Sequence, residues 1–404
     1  MQEDHMHNFK LIPEDVLFMR DARPMASSDA GLGANWPRPD QLYAALHHGF
    51  LSRWPEVQEW ESANQELHHF RDKSRSEYKG QSKDKNEDSS LRFGALKTFG
   101  PFPCRNNHLY FPCPLDLGME VIPCQGTDLP SPLTHGFLPK SKGKISNPVW
   151  ISQEDFQRYL DGREISAQEA EPLYSVERQF GIAFDPERGS VREGKLYQAE
   201  YLRLRQGVSL AFQASCLVTQ RGGEKKLTDV FLKDDGIESI LMGGQQGVAR
   251  LQRVETQFIL PKGKITTPVL RWTLLAPAFY RSGWLPSWLD QEGKVMLKDV
   301  QRSPGERREE WKRRQNKALP VGGKLIAARI GKPVVASGWD TKNGGPKPTM
   351  LLVPAGSSYV FQCDNLDQAR RLASLLNAPN PRSDAYGEKG FGLGICSSIH
   401  LPES

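Results

Sequence analysis

Apolar side chains alternate regularly over residues 208–218, and this pattern limits the possible folds of the chain more than any other feature of its sequence. In the segment VSLAFQASCLV, every second residue from Val208 to Val218 is apolar. Successive side chains of a strand point to opposite faces of a sheet, so this pattern predicts a strand with one face in a core. Short strand-like segments bounded by glycine or proline occur along the rest of the chain. We therefore expect a protein built mainly on β-sheets.

Three segments carry the periodicity and capping signals of helices. We expect Asp40 to cap the helix QLYAALHHGFLSRW, in which His47 lies near the apolar stripe and His48 points away. Ser152 and Asp155 have capping-box spacing at the start of ISQEDFQRYLDG. The segment NLDQARRLASLLN is amphipathic and is followed by a proline, which ends a helix.

Two further segments are almost free of apolar residues. Residues 71–90 show no periodic pattern, which is typical of an insertion outside the core. Residues 301–317 have helical propensity and mix basic with acidic residues. A solvated helix face is the favoured interpretation of this second segment, and contact with RNA is the alternative.

The order of the predicted elements indicates two similar halves. A strand, a helix, a strand pair and a further strand occur in each half, and Lys-Gly-Lys-Ile-x-x-Pro-Val recurs in residues 137–149 and 258–269. For a motif of eight residues, chance is the alternative explanation of the recurrence. This order predicts an α+β fold of two tandem ferredoxin-like (RRM-like) domains with extended loops. We expect an N-terminal domain over 1–222 and a C-terminal domain over 223–404.

Composition excludes several classes of protein. The chain has 404 residues, 38% of them hydrophobic and 25% charged, and its net charge of +5 allows an anionic partner without requiring one. No apolar run approaches the length of a membrane span, and the N-terminus is polar and acidic, unlike a signal peptide. The six cysteines form no CxxC motif, which favours reduced thiols in a cytoplasmic protein without a metal or cofactor. The spacing of Cys104, Cys113 and Cys124 leaves a metal site as a minor alternative.

The loop YGEKGFGLGI, residues 386–395, contains four glycines close to the C-terminus. A nucleotide-binding loop requires a helix that starts at the glycines, whereas the residues after Gly394 are strand-like. A second interpretation is that the loop clamps single-stranded RNA, with Lys389 on a phosphate and Phe391 stacked on a base. A third is a tight turn that packs Phe391 into the core, and the sequence does not separate the last two.

Candidate catalytic groups are sparse. His47 and His48 could serve a metal-independent ribonuclease, although no partner for either is visible in the sequence. The aspartates form no pair in a setting that suits two-metal catalysis. Arginine and aromatic residues on glycine-rich loops are more informative, because unstacked bases need planar side chains and phosphates need cations.

The chain resembles the third-subunit family of the Cmr effector complex, the type III-B CRISPR ribonucleoprotein, within the RAMP superfamily. The resemblance rests on motifs that occur in order along the chain, namely LIPEDVLFMRDARPM, GALKTFGPF, LYFPCPLDL, RQFGIAFDPERGSVREGKLYQAEYLRL, LMGGQQGVARL, LLAPAFYRSGWLP, GWDTKNGGPKPTMLLVPAGSSYVF and GFGLGI. Residues 71–90 and 301–317 resemble lineage-specific insertions.

The resemblance implies a non-catalytic subunit that holds the repeat-derived 5′ tag of the CRISPR RNA. It implies protein partners as well: the large polymerase-like subunit and a backbone subunit, with target RNA contacted indirectly. Some RAMP relatives that process precursor RNA place a catalytic histidine near the first helix, which keeps His47 and His48 as the alternative. The residues expected to contact RNA are Gly387, Lys389, Gly390, Phe391, Gly392, Gly394, Arg20, Arg23, Trp36, Arg38, Arg250, Trp339 and Lys347.

Overall fold

The computed structural model describes a set of residues that covers most of the chain. These residues are 6–19, 36–54, 60–62, 96–124, 129–140, 148–165, 172–185, 190–220, 227–233, 236–303, 305–340, 345–346 and 348–402. The expected insertion at 71–90 lies outside them.

Strands outnumber helices, as expected from the sequence. In chain order the strands are β1 (His7–Pro13), β2 (Trp60–Ser62), β3 (Lys97–Arg105), β4 (His108–Pro112), β5 (Met119–Pro123), β6 (His135–Pro139), β7 (Trp150–Ser152), β8 (Tyr174–Asp185), β9 (Ser190–Leu204), β10 (Val208–Ser215), β11 (Leu217–Gln220), β12 (Leu227–Asp229), β13 (Ser239–Leu241), β14 (Val248–Val254), β15 (Val269–Leu274), β16 (Gly323–Arg329), β17 (Val334–Ala336), β18 (Trp339–Asp340), β19 (Gly345–Pro346), β20 (Met350–Leu352), β21 (Ser358–Cys363) and β22 (Gly394–Ser398). The α-helices in the described part are α1 (Pro39–Arg53), α2 (Gln153–Leu160), α3 (Arg308–Lys317) and α4 (Leu366–Leu376).

The alternating segment at 208–218 provides the central strand of the first sheet. This sheet has the order β13-β14-β1-β10-β3-β4-β7. Leu210 and Phe212 of β10 pack in one buried cluster with Leu46 and Phe50 of α1. The rings of Phe9 and Phe212 on neighbouring strands stack at 5.3 Å. The alternation therefore marks the core face that α1 covers, as the sequence predicts.

The start of α1 differs from the prediction. The helix begins at Pro39, Arg38 occupies the N-cap position, and the Arg38 backbone N–H donates to Gln41 Oε1 at 2.8 Å. Proline fits the first helical position because its fixed φ suits a helix and its missing N–H costs nothing there. Asp40 lies in the first turn rather than at the cap.

The predicted start of α2 is confirmed, and α4 begins at a similar cap that was not predicted. The Ser152 hydroxyl caps α2 by accepting the Asp155 backbone N–H at 3.1 Å. At the start of α4, Asn365 Oδ1 accepts the Gln368 backbone N–H at 2.9 Å. Both caps satisfy backbone donors that a helix leaves unpaired at its N-terminus.

The second sheet has the order β16-β21-β15-β22, and all of its neighbouring strands are antiparallel. If the four strands are numbered 1 to 4 as they occur along the chain, their spatial order in the sheet is 2-3-1-4. Four central strands of the first sheet, β14-β1-β10-β3, show the same order read from the other end. Helix α4 buries Leu372 and Leu376 against one face of the second sheet, whereas α3 buries none of its residues.

The expected division of the chain after residue 222 falls inside the first sheet. Strand β14 hydrogen-bonds to β1, and β13 to β14, so residues 239–254 belong with the N-terminal strands. The second sheet begins only at Val269. Most of the first copy of the repeated motif lies outside the described residues, and the second copy leads into β15.

A buried polar network joins the two sheets. Asp116, from the segment between β4 and β5, accepts the Tyr159 hydroxyl at 2.6 Å and the Ser358 hydroxyl at 2.7 Å. Its second oxygen lies 3.3 Å from the Arg271 guanidinium, which is centred 3.7 Å over the Tyr159 ring. Burial raises the pKa of the Tyr159 phenol. The network fastens α2 across the face of the second sheet that does not contact α4.

No helix within the described ranges is long and apolar enough to cross a lipid bilayer.

We expect Asp116→Ala to destabilise the protein by about 3–5 kcal/mol, because it leaves the buried Arg271 cation without its counter-ion. The measurement is the free energy of unfolding from urea titration followed by tryptophan fluorescence. Asp15→Ala is the matched control, since Asp15 pairs with Arg203 while its side chain is 72% exposed. Asp15→Ala should lower the free energy of unfolding by less than about 1 kcal/mol. Equal losses in the two variants would contradict a structural role of the network.

Candidate nucleic-acid interface

The glycine-rich loop makes a compact turn before it enters β22. Tyr386 and Gly390 have φ values of 61° and 93°, and they flank a short 3-10 helix over Gly387–Lys389. Gly392 follows at 71°. Positive φ costs glycine little, so the spacing of Gly390 and Gly392 suits the path of this backbone.

The close approaches of the loop glycines are to the protein itself. A Cβ on Gly390 would lie 2.8 Å from the Thr98 carbonyl oxygen, and a Cβ on Gly392 would lie 2.5 Å from the Arg382 backbone. Gly394 lies against the indole ring of Trp272. Tight internal packing therefore accounts for these glycines without any ligand.

Phe391 is a correction to the expected RNA contacts. Its side chain is fully buried and packs in a small cluster with Ala336 and Leu352. A ring in this position has no exposed face on which a base can stack. Of the interpretations that the sequence left open, the tight turn with a core phenylalanine describes the position of this residue.

Lys389 brings the loop into contact with α1. The Thr98 hydroxyl donates to the Lys389 carbonyl oxygen at 3.0 Å, which ties the loop to β3. The Lys389 ammonium lies 5.2 Å from the ring centroid of Tyr43 and 4.1 Å from that of Tyr386. Both distances are within the range of cation–π attraction.

His47 completes this group on α1. Its imidazole stacks on the Tyr43 ring at 6.1 Å with an interplanar angle of 10°, while His48 is exposed on the other side of the helix. We call Tyr43, His47, Tyr386 and Lys389 the junction cluster, because it joins the first helix of the chain to the loop near its end. The cluster holds three flat rings and one cation.

A cavity of about 550 Å³ opens at the start of the same helix. The residues that line it include Trp36, Pro101, Trp150, Leu275 and Val335. The Trp36 indole N–H donates to the Pro101 carbonyl at 2.9 Å. The indole N–H of Trp150 is buried without a partner among the described residues. Residues of the first sheet meet here with Leu275, which directly follows β15, and with Val335 of β17, and such junctions are common sites for ligands.

Arg38 lines this cavity, but its guanidinium is already engaged. Nε lies 3.0 Å from Asp40 Oδ1, and Nη2 lies 3.1 Å from Asp40 Oδ2 and 3.3 Å from the Ser337 carbonyl. Only 12% of the side chain is exposed. Arg38 therefore holds the two halves together here, and its charge is balanced by Asp40 rather than presented to solvent.

The remaining expected RNA-binding residues lie on strands or outside the described part of the chain. Arg250 lies on β14 with its side chain 62% exposed and 3.8 Å from Glu14. The backbone of Trp339 pairs with Pro346 in a two-stranded ribbon. Arg20, Arg23 and Lys347 lie outside the described residues.

Groups that could hold a metal are not assembled in the described ranges. They contain no cluster of three or more His, Cys, Asp or Glu side chains. Cys104 and Cys113 are buried while Cys124 is exposed, and burial raises the pKa of the Cys113 thiol to about 12. A thiol held in its protonated form is a poor metal ligand.

Sequence reasoning did not single out Tyr43, Tyr386 or Trp150 as site residues. The spacing of Tyr43 and His47, four residues apart on a predicted helix, was the available signal, because such residues are neighbours on the helix surface. No local signal pairs Tyr43 with Lys389, which is 346 positions later in the chain.

Comparison with protein families identifies one match. The profile of the family described as CRISPR-associated protein (Cas_Cmr3) matches residues 9–398. This match confirms the resemblance that the ordered motifs indicated. The comparison with curated proteins gives no match.

Solved structures provide remote likenesses. A chain of the type III-B Cmr-beta complex bound to cognate target RNA is 14% identical over 87% of this chain and 86% of its own length, with a TM-score of 0.43. A chain of the Csm3–Csm4 subcomplex of the type III-A CRISPR-Cas interference complex is 10% identical, with coverages of 89% and 94% and a TM-score of 0.37.

We expect Gly392→Ala to destabilise the protein more than Gly162→Ala. The two glycines have almost the same φ, 71° and 70°, but a Cβ on Gly162 would meet nothing within 4 Å. The control should therefore show only the backbone cost, about 1–2 kcal/mol. Gly392→Ala should add about 1–3 kcal/mol of overpacking, measured by urea unfolding. Equal costs would show that the loop does not need its close approach to the Arg382 backbone.

Proposed function

Because this chain belongs to the Cas_Cmr3 family of CRISPR-associated proteins, we propose that it is a non-catalytic subunit of a type III-B (Cmr) RNA-guided effector complex. In this role it binds the repeat-derived 5′ tag of the CRISPR RNA. It also joins the large polymerase-like subunit to the backbone subunits, and it meets target RNA only through the assembled complex.

The junction cluster is the observation that carries the RNA-binding part of this proposal. Single-stranded RNA is recognised by planar side chains on which bases stack and by cations that meet the phosphates. The half-buried His47 and Tyr386 supply the planes, and Lys389 supplies the cation. The buried Tyr43 ring contacts both His47 and Lys389. Lys389 thereby keeps the role expected for it, while Tyr386 and His47 replace Phe391 as the stacking groups.

Coverage of the sheet faces also favours a site at the junction. RRM-like proteins bind RNA on an open sheet face. In the second sheet, the face that carries Arg271 and Ser358 is covered by α2, and the face that carries Trp272 packs with α4. RNA must therefore meet this half at its loops, where binding residues commonly lie.

The cavity beside Trp36 extends this interface. Pro39 lines it, and Tyr43 lies one helical turn further along α1. Its volume is within the range of about 300–1,000 Å³ that is typical of ligand pockets. A base that is splayed out of the tag would find apolar walls here, together with the indole N–H of Trp150 as a donor.

The strand orders support the finer fold assignment. A β-α-β-β-α-β unit places its strands in the spatial order 4-1-3-2, which four strands of each sheet follow. We infer that the two sheets are the cores of two tandem ferredoxin-like units. The first unit has a short 3-10 helix over Val230–Leu232, between its third and fourth strands, where a second α-helix is usual.

We expect Lys389→Ala to weaken binding of RNA that carries the 5′ tag, because one phosphate loses its cation. The plot of log K against log salt concentration should become shallower by about 0.7, the value for one contact with a single strand. The measurement is fluorescence anisotropy at several salt concentrations. Lys324→Ala is the matched control, since Lys324 is exposed on β16 away from the loop. An unchanged slope in Lys389→Ala would remove Lys389 from the interface.

A second candidate function is supported by one observation. His47 stacks on Tyr43, whose ring also meets the Lys389 ammonium. A histidine near a cation is the arrangement that a metal-independent ribonuclease uses for general acid–base catalysis. This alternative concerns the processing of CRISPR precursor RNA.

Under the proposed function, the purified chain leaves repeat RNA intact in the presence of EDTA. The His47→Ala variant also leaves the RNA intact. The measurement is gel analysis of end-labelled repeat RNA over several hours. His48→Ala is the matched variant, because His48 is exposed on the same helix. Cleavage by the parent chain and the His48→Ala variant that disappears in His47→Ala would overturn the non-catalytic assignment.

A further inference from the structure

Helix α3 has no part in the core. None of its residues is buried, and it lies in the segment that connects β15 to β16. A helix that is polar on all sides either bridges to another body or depends on its own side-chain pairs. Its presence on the surface therefore calls for an explanation other than packing.

The helix is held by its own segment. The Arg314 guanidinium makes two contacts of 2.7 Å with Glu306, and it donates to the Gln301 carbonyl at 2.8 Å. The Trp311 indole N–H donates to the Val300 carbonyl at 2.9 Å. The hydrogen bonds from Arg314 lower the pKa of Glu306 to about 2. These contacts fix the inner side of α3 and leave its outer side exposed.

The outer side carries cations that this chain does not neutralise. Arg308, Lys312, Arg313 and Lys317 are exposed, and none of them takes part in an ion pair among the described residues. Residues four apart are neighbours on a helix, so the four cations form two adjacent pairs. Glu309, also exposed, lies between the two pairs on the helix surface.

An apolar side chain lies just beyond the end of this surface. Leu319 follows α3 by two positions and is 83% exposed, the highest value among the large hydrophobic residues described. Partly apolar, charge-rimmed surfaces are typical of protein interfaces, in which an apolar anchor enters a pocket and charges pair around it.

We propose that Arg308, Lys312, Arg313, Lys317 and Leu319 form a docking surface for an acidic protein partner within the effector complex. The partner presents carboxylates to the four cations and an apolar hollow to Leu319. A protein is favoured over nucleic acid, because the exposed Leu319 side chain contributes nothing to phosphate binding but suits an apolar hollow on a protein. This inference rests on the proposed function, since the partner is a subunit of the same complex.

Thiol labelling of Leu319→Cys in a Cys124→Ser background tests the proposal. Cys124 is the exposed cysteine of this chain and the other five are buried, so this variant reacts at a single exposed thiol. We expect maleimide to react at least tenfold more slowly in the assembled complex than in the isolated chain. Ile259→Cys in the same background is the control of matched exposure, at 70%, and it should keep its rate.

Four outcomes overturn the proposal. Unchanged labelling of Leu319→Cys in a complex that has assembled rejects the docking surface while the proposed function stands. If RNA alone slows the maleimide labelling of Leu319→Cys in the isolated chain, the surface is assigned to nucleic acid. Equal slowing of the Ile259→Cys control shows that the protection is not specific to α3. Failure of the chain to join any complex rejects the proposed function and this inference with it.

Charge reversal provides an independent measurement. Lys312→Glu with Arg313→Glu changes two exposed side chains and no described contact, so the fold should persist. We expect the partner to dissociate from the variant complex at a lower salt concentration than from the parent. Dissociation at the same salt concentration in both complexes would reject pairing with carboxylates.

Discussion

The rest of this structure depends on one ion pair that is buried between α2 and the second sheet. Asp116 and Arg271 are removed from water, and such a pair is tolerated only when hydrogen bonds satisfy the remaining polar atoms. Tyr159, Ser358 and Ser397 supply most of these bonds, while Arg271 Nε has no partner among the described residues. Because the partners come from distant parts of the chain, the network forms only when the two halves adopt one relative position.

That position decides where RNA can bind. With α2 fastened over one face of the second sheet and α4 packed on the other, neither face is open in the way that RRM-like recognition needs. The two halves instead meet along α1, where the loop at 386–395 contacts Tyr43 and the cavity begins at Trp36. The interaction that joins the sheets thus also creates the junction that we propose as the interface.

Local signals were sufficient for the elements and for the family. Three features depend only on residues within a few positions of each other: the Ser152 cap, the apolar stripe of α4 and the alternation in β10. The sequence of each short segment is therefore enough to predict the element. The mixed architecture of antiparallel sheets and few helices followed from them. The ordered motifs predicted the family, which the profile match over 9–398 confirms.

Only the tertiary structure shows how these elements pack and pair with one another. The sequence shows that Phe391 and Arg38 are residue types that suit RNA. It does not show that the Phe391 ring fills a core or that Arg38 pairs with Asp40. It also does not reveal that β13 and β14 join the first sheet beyond residue 222. For Phe391 and for β14, burial and pairing are set by residues that are distant in the sequence. The Asp40 partner of Arg38 is local, but side-chain type alone does not specify which of several suitable partners a group will meet.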